Sequence, residues 1–246
     1  MKIGLMGFGH LGKAVAKGLL HMQEIADEEI YVSAHSKATL RVAQEQFGLH
    51  ACASNDELVR VADVLILLLP PEVFRRENFA ADWSGRTVIS MMAGVKLAEL
   101  RGKLGGEPIR VMPNLGVAEN RGMLCYTPTE DQQVVKLLNG LGDALCVQET
   151  EVEKFMAVAS CGIGFAAYML QSFAQAGEGM GFSREAAMQM TINVFTYALN
   201  AGDFQALADA VATKGGATEM GISSMAAENV AGAVARAVEA AYNKMK

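Results

Sequence analysis

No two cysteines in this 246-residue chain are spaced as C-x-x-C: Cys52, Cys125, Cys146 and Cys161 stand far apart, and the 4 histidines share no metal-ligand spacing. Neither a disulfide framework nor a metal centre is expected, and buried, reduced thiols are the default reading. Long hydrophobic runs are missing as well. The longest strongly apolar stretch, Val64 to Leu69, is far too short to cross a bilayer. The opening residues, Met1-Lys2-Ile3-Gly4-Leu5-Met6-Gly7, lack the positive region, apolar core and cleavage site of a signal peptide. A soluble cytoplasmic protein without a membrane partner is expected. There is no basic stripe either: 21 Lys and Arg against 27 Asp and Glu give a net charge of -6, with the basic residues scattered. Such a surface offers a nucleic-acid backbone little to neutralise its charge. The chain shows no internal repeat and no low-complexity linker.

What is present divides the chain in two. With 51% hydrophobic residues it can bury a sizeable core as one large domain or two modest ones. From residue 1 to 148, short β-like runs alternate with helical patterns. Ile3 to Met6, Ile30 to Val32, Val64 to Leu69, Thr87 to Ser90 and Ile109 to Met112 read as strands. Val64 to Leu69 is apolar at every position, as suits a central strand covered on both faces. The expected fold class is α/β, a doubly wound parallel sheet of Rossmann type followed by an all-α domain at 149–246. In that second half, Thr150 and Glu153 have the form of a capping box opening a helix toward Gly177. Gly181 and Ser183 would end that helix and cap the next, which runs to about Gly202. The segment Ala226 to Lys246 is alanine-rich. Small residues bury little area each, so a homodimer through the C-terminal helices, or a higher oligomer, is expected.

The strongest local motif is Gly7-Phe8-Gly9-His10-Leu11-Gly12, a G-x-G-x-x-G between a strand and an amphipathic helix starting near His10. Gly7 permits the tight turn, Gly9 admits a pyrophosphate to the backbone, and Gly12 lets helix pack on strand. Amides at the helix start would receive the anion. After the second strand, where a carboxylate would hold the ribose of NAD, the chain has Ser33-Ala34-His35-Ser36-Lys37. Hydroxyl, imidazole and ammonium donors favour a 2′-phosphate, so NADPH is the expected cofactor, with NADH the alternative. The plainer reading of His35 and Lys37 is that they solvate a helix start.

Beyond this motif, several segments resemble the pyrroline-5-carboxylate reductase family in order and spacing. They are Lys2 to Leu20, Ala62 to Pro71, Val88 to Val95, Arg110-Val111-Met112-Pro113-Asn114, and the loop Gly215-Gly216-Ala217-Thr218 before an alanine-rich helix. The resemblance spans essentially the whole chain. It implies NAD(P)H-dependent reduction of a cyclic imine carboxylate to proline. By position, Gly7, Phe8, Gly9, His10, Leu11 and Gly12 would hold the pyrophosphate, and Ser33, His35 and Ser36 the adenosine ribose. Leu69, Pro70, Pro71, Ala93, Gly94 and Asn114 would lie toward the nicotinamide. Gly162 would line the substrate pocket, Gly215, Gly216 and Ala217 would bind the substrate carboxylate, and Thr218 would direct its hydroxyl to the imine nitrogen. Plainer roles exist for a helix-connecting turn at Gly215-Gly216 and for Thr218 as a cap.

The departures from that pattern gather at substrate-facing positions. Ala159-Ser160-Cys161-Gly162-Ile163-Gly164-Phe165 keeps the glycine but loses the family's proline, aligned serines and tyrosine hydroxyl. Leu115-Gly116 stands for Thr-Pro, Thr213-Lys214 for Ser-Pro, Pro70 for lysine, and His10 for an asparagine whose capping role an imidazole would share. Cys161 is given no catalytic part, since imine reduction needs no thiolate, whereas Lys214 offers an ammonium beside the Gly-Gly turn. The altered wall leaves two further readings open: a non-catalytic dinucleotide-binding paralogue serving as sensor or partner platform, and a reductase of another small substrate. Lys154, at the start of its helix, resembles no catalytic-lysine motif of the latter kind.

Overall fold

The computed structural model describes residues 1–23, 25 and 29–245. One compact unit comprises Met1–Ser160 with Lys244–Lys246, and a second comprises Cys161–Asn243.

The first unit is built on an 8-stranded sheet in the order β3-β2-β1-β4-β5-β6-β7-β8. Its strands are β1 (Ile3–Met6), β2 (Ile30–Ser33), β3 (His50–Ala51), β4 (Val64–Leu67), β5 (Thr87–Ser90), β6 (Ile109–Pro113), β7 (Gly122–Tyr126) and β8 (Gly142–Cys146). β1 and β4 are buried at every residue because helices cover both faces. The expected all-parallel sheet needs one correction: β7 runs antiparallel to β6, with Met112 opposite Cys125, and β8 then runs parallel to β7. β4 also stops at Leu67 instead of Leu69.

The helices of this unit are α1 (His10–Leu20), α2 (Lys37–Phe47), α3 (Asn55–Val61), α4 (Pro71–Arg76), α5 (Leu97–Leu104) and α6 (Gln132–Leu141). Side chains set several of their starts. Ser36, Ser54 and Asp131 accept bonds from the first-turn amides of α2, α3 and α6. α1 buries Val15 and Leu19 against Ile3, Leu5 and Val32 on one face of the sheet. Leu58, Phe74, Trp83 and Leu100 close the other face over Leu65 and Leu67.

Two of the expected buried thiols are in this core. Burial pushes the Cys125 thiol up to about 12, and burial with the nearby charge of Glu57 pushes Cys52 to about 11. Cys146 departs from the expectation: it is exposed at the end of β8, the last strand of the sheet, and Cys161 is half-buried.

The helical half begins with a 3-10 turn, Glu149–Glu151, followed by α7 (Val152–Phe155), a π turn (Met156–Ser160) and α8 (Cys161–Gly179). The capping contact comes from Glu151, whose carboxylate accepts from Gln148 N at 3.0 Å, and not from Glu153. Glu153 is drawn elsewhere, to Arg110, because that guanidinium is fully buried and needs a partner.

In the second unit α8 is followed by α9 (Arg184–Asn200), α10 (Phe204–Val211), α11 (Ala217–Ala227) and α12 (Val230–Met245). Gly181 (φ +95°) and Ser183, which accepts from Ala186 N at 3.2 Å, divide α8 from α9 where the sequence indicates. The last helix starts at Val230 and not Ala226, since Asn229 takes a left-handed turn and its Oδ1 accepts from Gly232 N. Lys246 lies outside the described residues. α8 and α9 bury only Ala174, Ala187 and Thr191, and α10, α11 and α12 bury nothing. Tyr168, Met180, Tyr197 and Leu199 are 77%, 81%, 69% and 69% exposed. A monomer rarely leaves so much apolar surface uncovered. The run Glu149–Gly179 is, by length and composition, a helix apolar enough to cross a membrane, although no single apolar stretch of the sequence is.

Candidate functional site

The carboxyl ends of β1, β4, β5 and β6 lie side by side, because these four strands are parallel neighbours. The glycine motif, Leu69 to Pro71, Ala93-Gly94 and Asn114 follow those four strands in turn and so share one edge of the sheet. In open α/β sheets that edge takes the ligand.

The glycine motif has the geometry of a dinucleotide loop. Gly7 sits at φ +109°, and a Cβ there would lie 2.7 Å from Leu68 O. A Cβ on Gly12 would lie 2.6 Å from Gly7 O, so only glycine lets α1 pack this closely. A Cβ on Gly9 would meet nothing within 4 Å, which leaves open space before the start of α1. Gly9 is the N-cap, with no side-chain cap and no acidic residue in the first turn. The first-turn amides of α1 therefore have no helical partner and face an uncharged cradle that suits a pyrophosphate. Capping by His10 is not observed, because His10 is already the first residue of the helix. Phe8 and Leu11 turn inward: Phe8 is buried edge-to-face on Phe47 at 5.2 Å, and Leu11 packs against the same core. Only their backbones are left for a ligand.

At the end of β2, Ser33 is buried and its hydroxyl donates to Asn55 Oδ1 at 2.7 Å, while Asn55 Nδ2 donates to Glu77 Oε1 at 2.9 Å. Asn55 and Glu77 had no signal in the sequence, since the relay joins residues 22 apart at each step. Ser36 caps α2 through Thr39 N at 3.1 Å and shares a bond with Thr39 Oγ1. His35 and Lys37 are exposed beside it.

Pro70 is the N-cap of α4, and Pro71 its first residue, where a missing N–H costs nothing. The turn at Ala93-Gly94 has Gly94 at φ +70°, and Arg75 Nη2 holds it by donating to Gly94 O at 3.1 Å. Arg75 is a third residue that sequence reading missed, after Asn55 and Glu77. Asn114 works as a pin: its Oδ1 accepts from Gly116 N at 3.1 Å and Met123 N at 3.2 Å, and its Nδ2 donates to Ala159 O at 3.2 Å. Ser160 Oγ donates to Pro113 O at 3.3 Å, tying the π turn to the same strand end. Further down β6, Arg110 is wholly buried and donates to Glu153 at 2.9 Å and Glu149 at 3.3 Å, with Lys96 on Glu153 at 2.7 Å. Burial pushes the Glu153 carboxyl up, but the bonds and charges of Lys96 and Arg110 outweigh it and hold it below the usual glutamate value.

In the second unit Gly162 is the second residue of α8, with open space where a side chain would be. The loop before α11 has Gly215 at φ +76° and Gly216 as N-cap, with no side-chain cap. Thr218 therefore lies inside α11 and does not cap it. Gly216 N donates to Thr213 O at 2.8 Å, and Gly215 N donates to the carboxylate of Glu219 at 2.6 Å. The first amides of α11 remain without helical partners, and Lys214 and Thr218 are exposed.

Two family descriptions match separate segments of the chain. Residues 149–246 match the family described as pyrroline-5-carboxylate reductase dimerisation, and residues 2–94 match NADP oxidoreductase, coenzyme F420-dependent. A curated pyrroline-5-carboxylate reductase of Treponema pallidum is 29% identical over 99% of this chain and 99% of its own. The crystal structure of the Plasmodium falciparum pyrroline carboxylate reductase with NADP bound superposes with a TM-score of 0.91 at 25% identity, covering 100% of this chain and 97% of that one. The Streptococcus pyogenes 1-pyrroline-5-carboxylate reductase, at 24% identity and TM-score 0.91 over 100% and 98% of the two chains, shares the fold.

Proposed function

We propose that the chain is a member of the pyrroline-5-carboxylate reductase family that reduces pyrroline-5-carboxylate to proline with NADPH, on its likeness to that family along the whole chain. It is an NAD(P)H-dependent oxidoreductase acting on a C=N bond. The observation that carries the reading is the open, uncapped, uncharged start of α1 behind Gly7, Gly9 and Gly12. In this reading residues 1–148 hold the dinucleotide, and residues 149–246 supply substrate contacts and the homodimer interface. The first-turn amides of α1 bind the pyrophosphate. His35, Ser36 and Lys37 at the start of α2 favour a ribose bearing a 2′-phosphate over a bare hydroxyl. Leu69 to Pro71, Ala93 and Gly94 border the nicotinamide half, and the Asn114 pin keeps the strand end beside them fixed.

Bound NAD(P)H supplies the hydride. A protonated cyclic imine is already a good acceptor, so the protein's share is proximity, alignment and exclusion of water. The loop at Gly215 to Thr218 receives the substrate carboxylate on backbone amides. The Thr218 hydroxyl is too weak an acid to deliver a proton unaided, and it serves as an oriented donor relaying one from water to the imine nitrogen. The exposed apolar helices gain their cover from a second copy. A groove of about 690 Å³ between α8 and α9, lined by Phe173, Met180, Phe182, Met190 and Val194, is part of that surface. Cytoplasmic residence goes with this activity.

NADPH consumption by purified protein with a panel of cyclic imines tests the reading, repeated with NADH and with Thr218→Ala. Turnover is expected to be fastest with pyrroline-5-carboxylate and NADPH. Thr218→Ala is expected to lower kcat by about tenfold to a hundredfold while leaving NADPH affinity unchanged. Unchanged turnover and substrate affinity in Thr218→Ala would remove that hydroxyl from the site.

A further inference from the structure

The loop assigned to the substrate carboxylate already holds a carboxylate of its own. Gly215, in the left-handed conformation at φ +76°, turns its amide onto Glu219 Oε2 at 2.6 Å, a short charge-assisted bond. Glu219 sits in the first turn of α11, one residue after Thr218. The Gly216 amide is bound to Thr213 O. Of the four residues Gly215 to Thr218, only Ala217 and Thr218 therefore present amides without an internal partner at the start of the helix. An anion arriving there meets the negative charge of Glu219 beside it, with Lys214 as the cation next in sequence.

We propose that Glu219 is a specificity-determining residue: its carboxylate fills the Gly215 amide when no substrate is bound, and an anionic imine must displace it whereas an uncharged imine need not. The proposal rests on the reading of Gly215 to Thr218 as the substrate-carboxylate seat. Two carboxylates cannot share one amide, and like charges at van der Waals separation repel even in water. The substrate class favoured by the chain as it stands is thus shifted toward cyclic imines whose ring carries no carboxylate, relative to the same loop without Glu219. A glutamate that merely supports the turn would affect stability and leave substrate choice alone.

The test compares pyrroline-5-carboxylate with the uncharged 1-pyrroline in wild type, Glu219→Gln and Glu219→Ala, all checked for folding by thermal melting. Glutamine keeps an acceptor for the Gly215 amide without the charge, and alanine leaves that amide empty. Both variants are expected to raise kcat/KM for pyrroline-5-carboxylate about tenfold, the size of one like-charge contact near a surface, and to leave 1-pyrroline within about twofold. An unchanged ratio between the two substrates overturns the proposal. Calorimetric titration with L-proline supplies a readout that needs no turnover. About tenfold tighter binding in both variants supports the displaced carboxylate, and equal or absent binding in all three proteins overturns it. Tighter proline binding without reduction of any imine by wild type would sink the reductase reading and leave the role of Glu219 standing.

Discussion

The two units of this chain solve the problem of burial in opposite ways. Three hydrophobic clusters, running from Ile3 to Met156, lie entirely in the first unit, where helices cover both faces of β1 and β4. The second unit has three helices that bury no residue at all. A sheet covered on both sides completes its own core, whereas helices rich in alanine and glycine leave their larger side chains to be covered by something else. In the proposed division of labour, a preformed cofactor cradle needs a rigid frame, and a surface awaiting a second copy needs an apolar face.

The contrast is most sharply tested where the first unit is most constrained. Glu149 and Glu153 compensate the buried charge of Arg110. Glu153→Gln is expected to lower unfolding stability by about 3 kcal/mol at neutral pH, because it leaves that guanidinium with one carboxylate at 3.3 Å. The folded Glu153 carboxyl is held below its ordinary value, so its contribution is present above the unfolded glutamate pKa, about 4.3, and fades as pH falls through the folded value. Denaturant titrations at pH 7 and below pH 4 should therefore show wild type and variant converging in acid. A constant difference would mean that the ion pair is not the source.

Next in size is a perturbation of the other unit. Met180→Glu combined with Leu199→Glu places two charges on the exposed apolar helices and is expected to weaken self-association by about 2 kcal/mol or more, read by sedimentation. The sheet unit should still bind NADPH. A variant that keeps both the mass and the thermal stability of wild type would show that the helical unit needs no cover there, and the contrast would fail. Smaller still is Gly12→Ala, whose new methyl would press on Gly7 O. About tenfold weaker NADPH binding with an unchanged oligomer is expected, and unchanged affinity would break the link between this close packing and the cradle.

The contrast also explains what the sequence made legible. The alternation of apolar runs and helical patterns identified β1, β2, β4, β5 and β6, with β4, buried on both faces, apolar at every position. β7 and β8 escaped notice for a physical reason. Each begins with glycine, Gly122 opposite Gly142, which weakens the strand signal, and β8 is mostly exposed. β3 has only two residues. In the cofactor region the glycine motif was plain because its spacing is local. The Ser33–Asn55–Glu77 relay and the hold of Arg75 on Gly94 were invisible because they join distant segments. Glu219 was passed over because its bond to the Gly215 amide depends on the left-handed turn at Gly215, which the residue order alone does not reveal. The apolar length of residues 149–179 was likewise hidden, because polar residues interrupt it in sequence while the helix continues.

The most direct test of the account follows a deuterium atom. Purified protein would be mixed with pyrroline-5-carboxylate and NADPH carrying deuterium at the transferable position of its nicotinamide ring, and the products read by mass spectrometry. Proline bearing one deuterium on the former imine carbon, formed in step with NADP, is the result expected of a reductase built on this cradle. NADPH that binds tightly yet is returned unchanged, with no labelled proline, would contradict it and favour a dinucleotide-binding protein that performs no reduction.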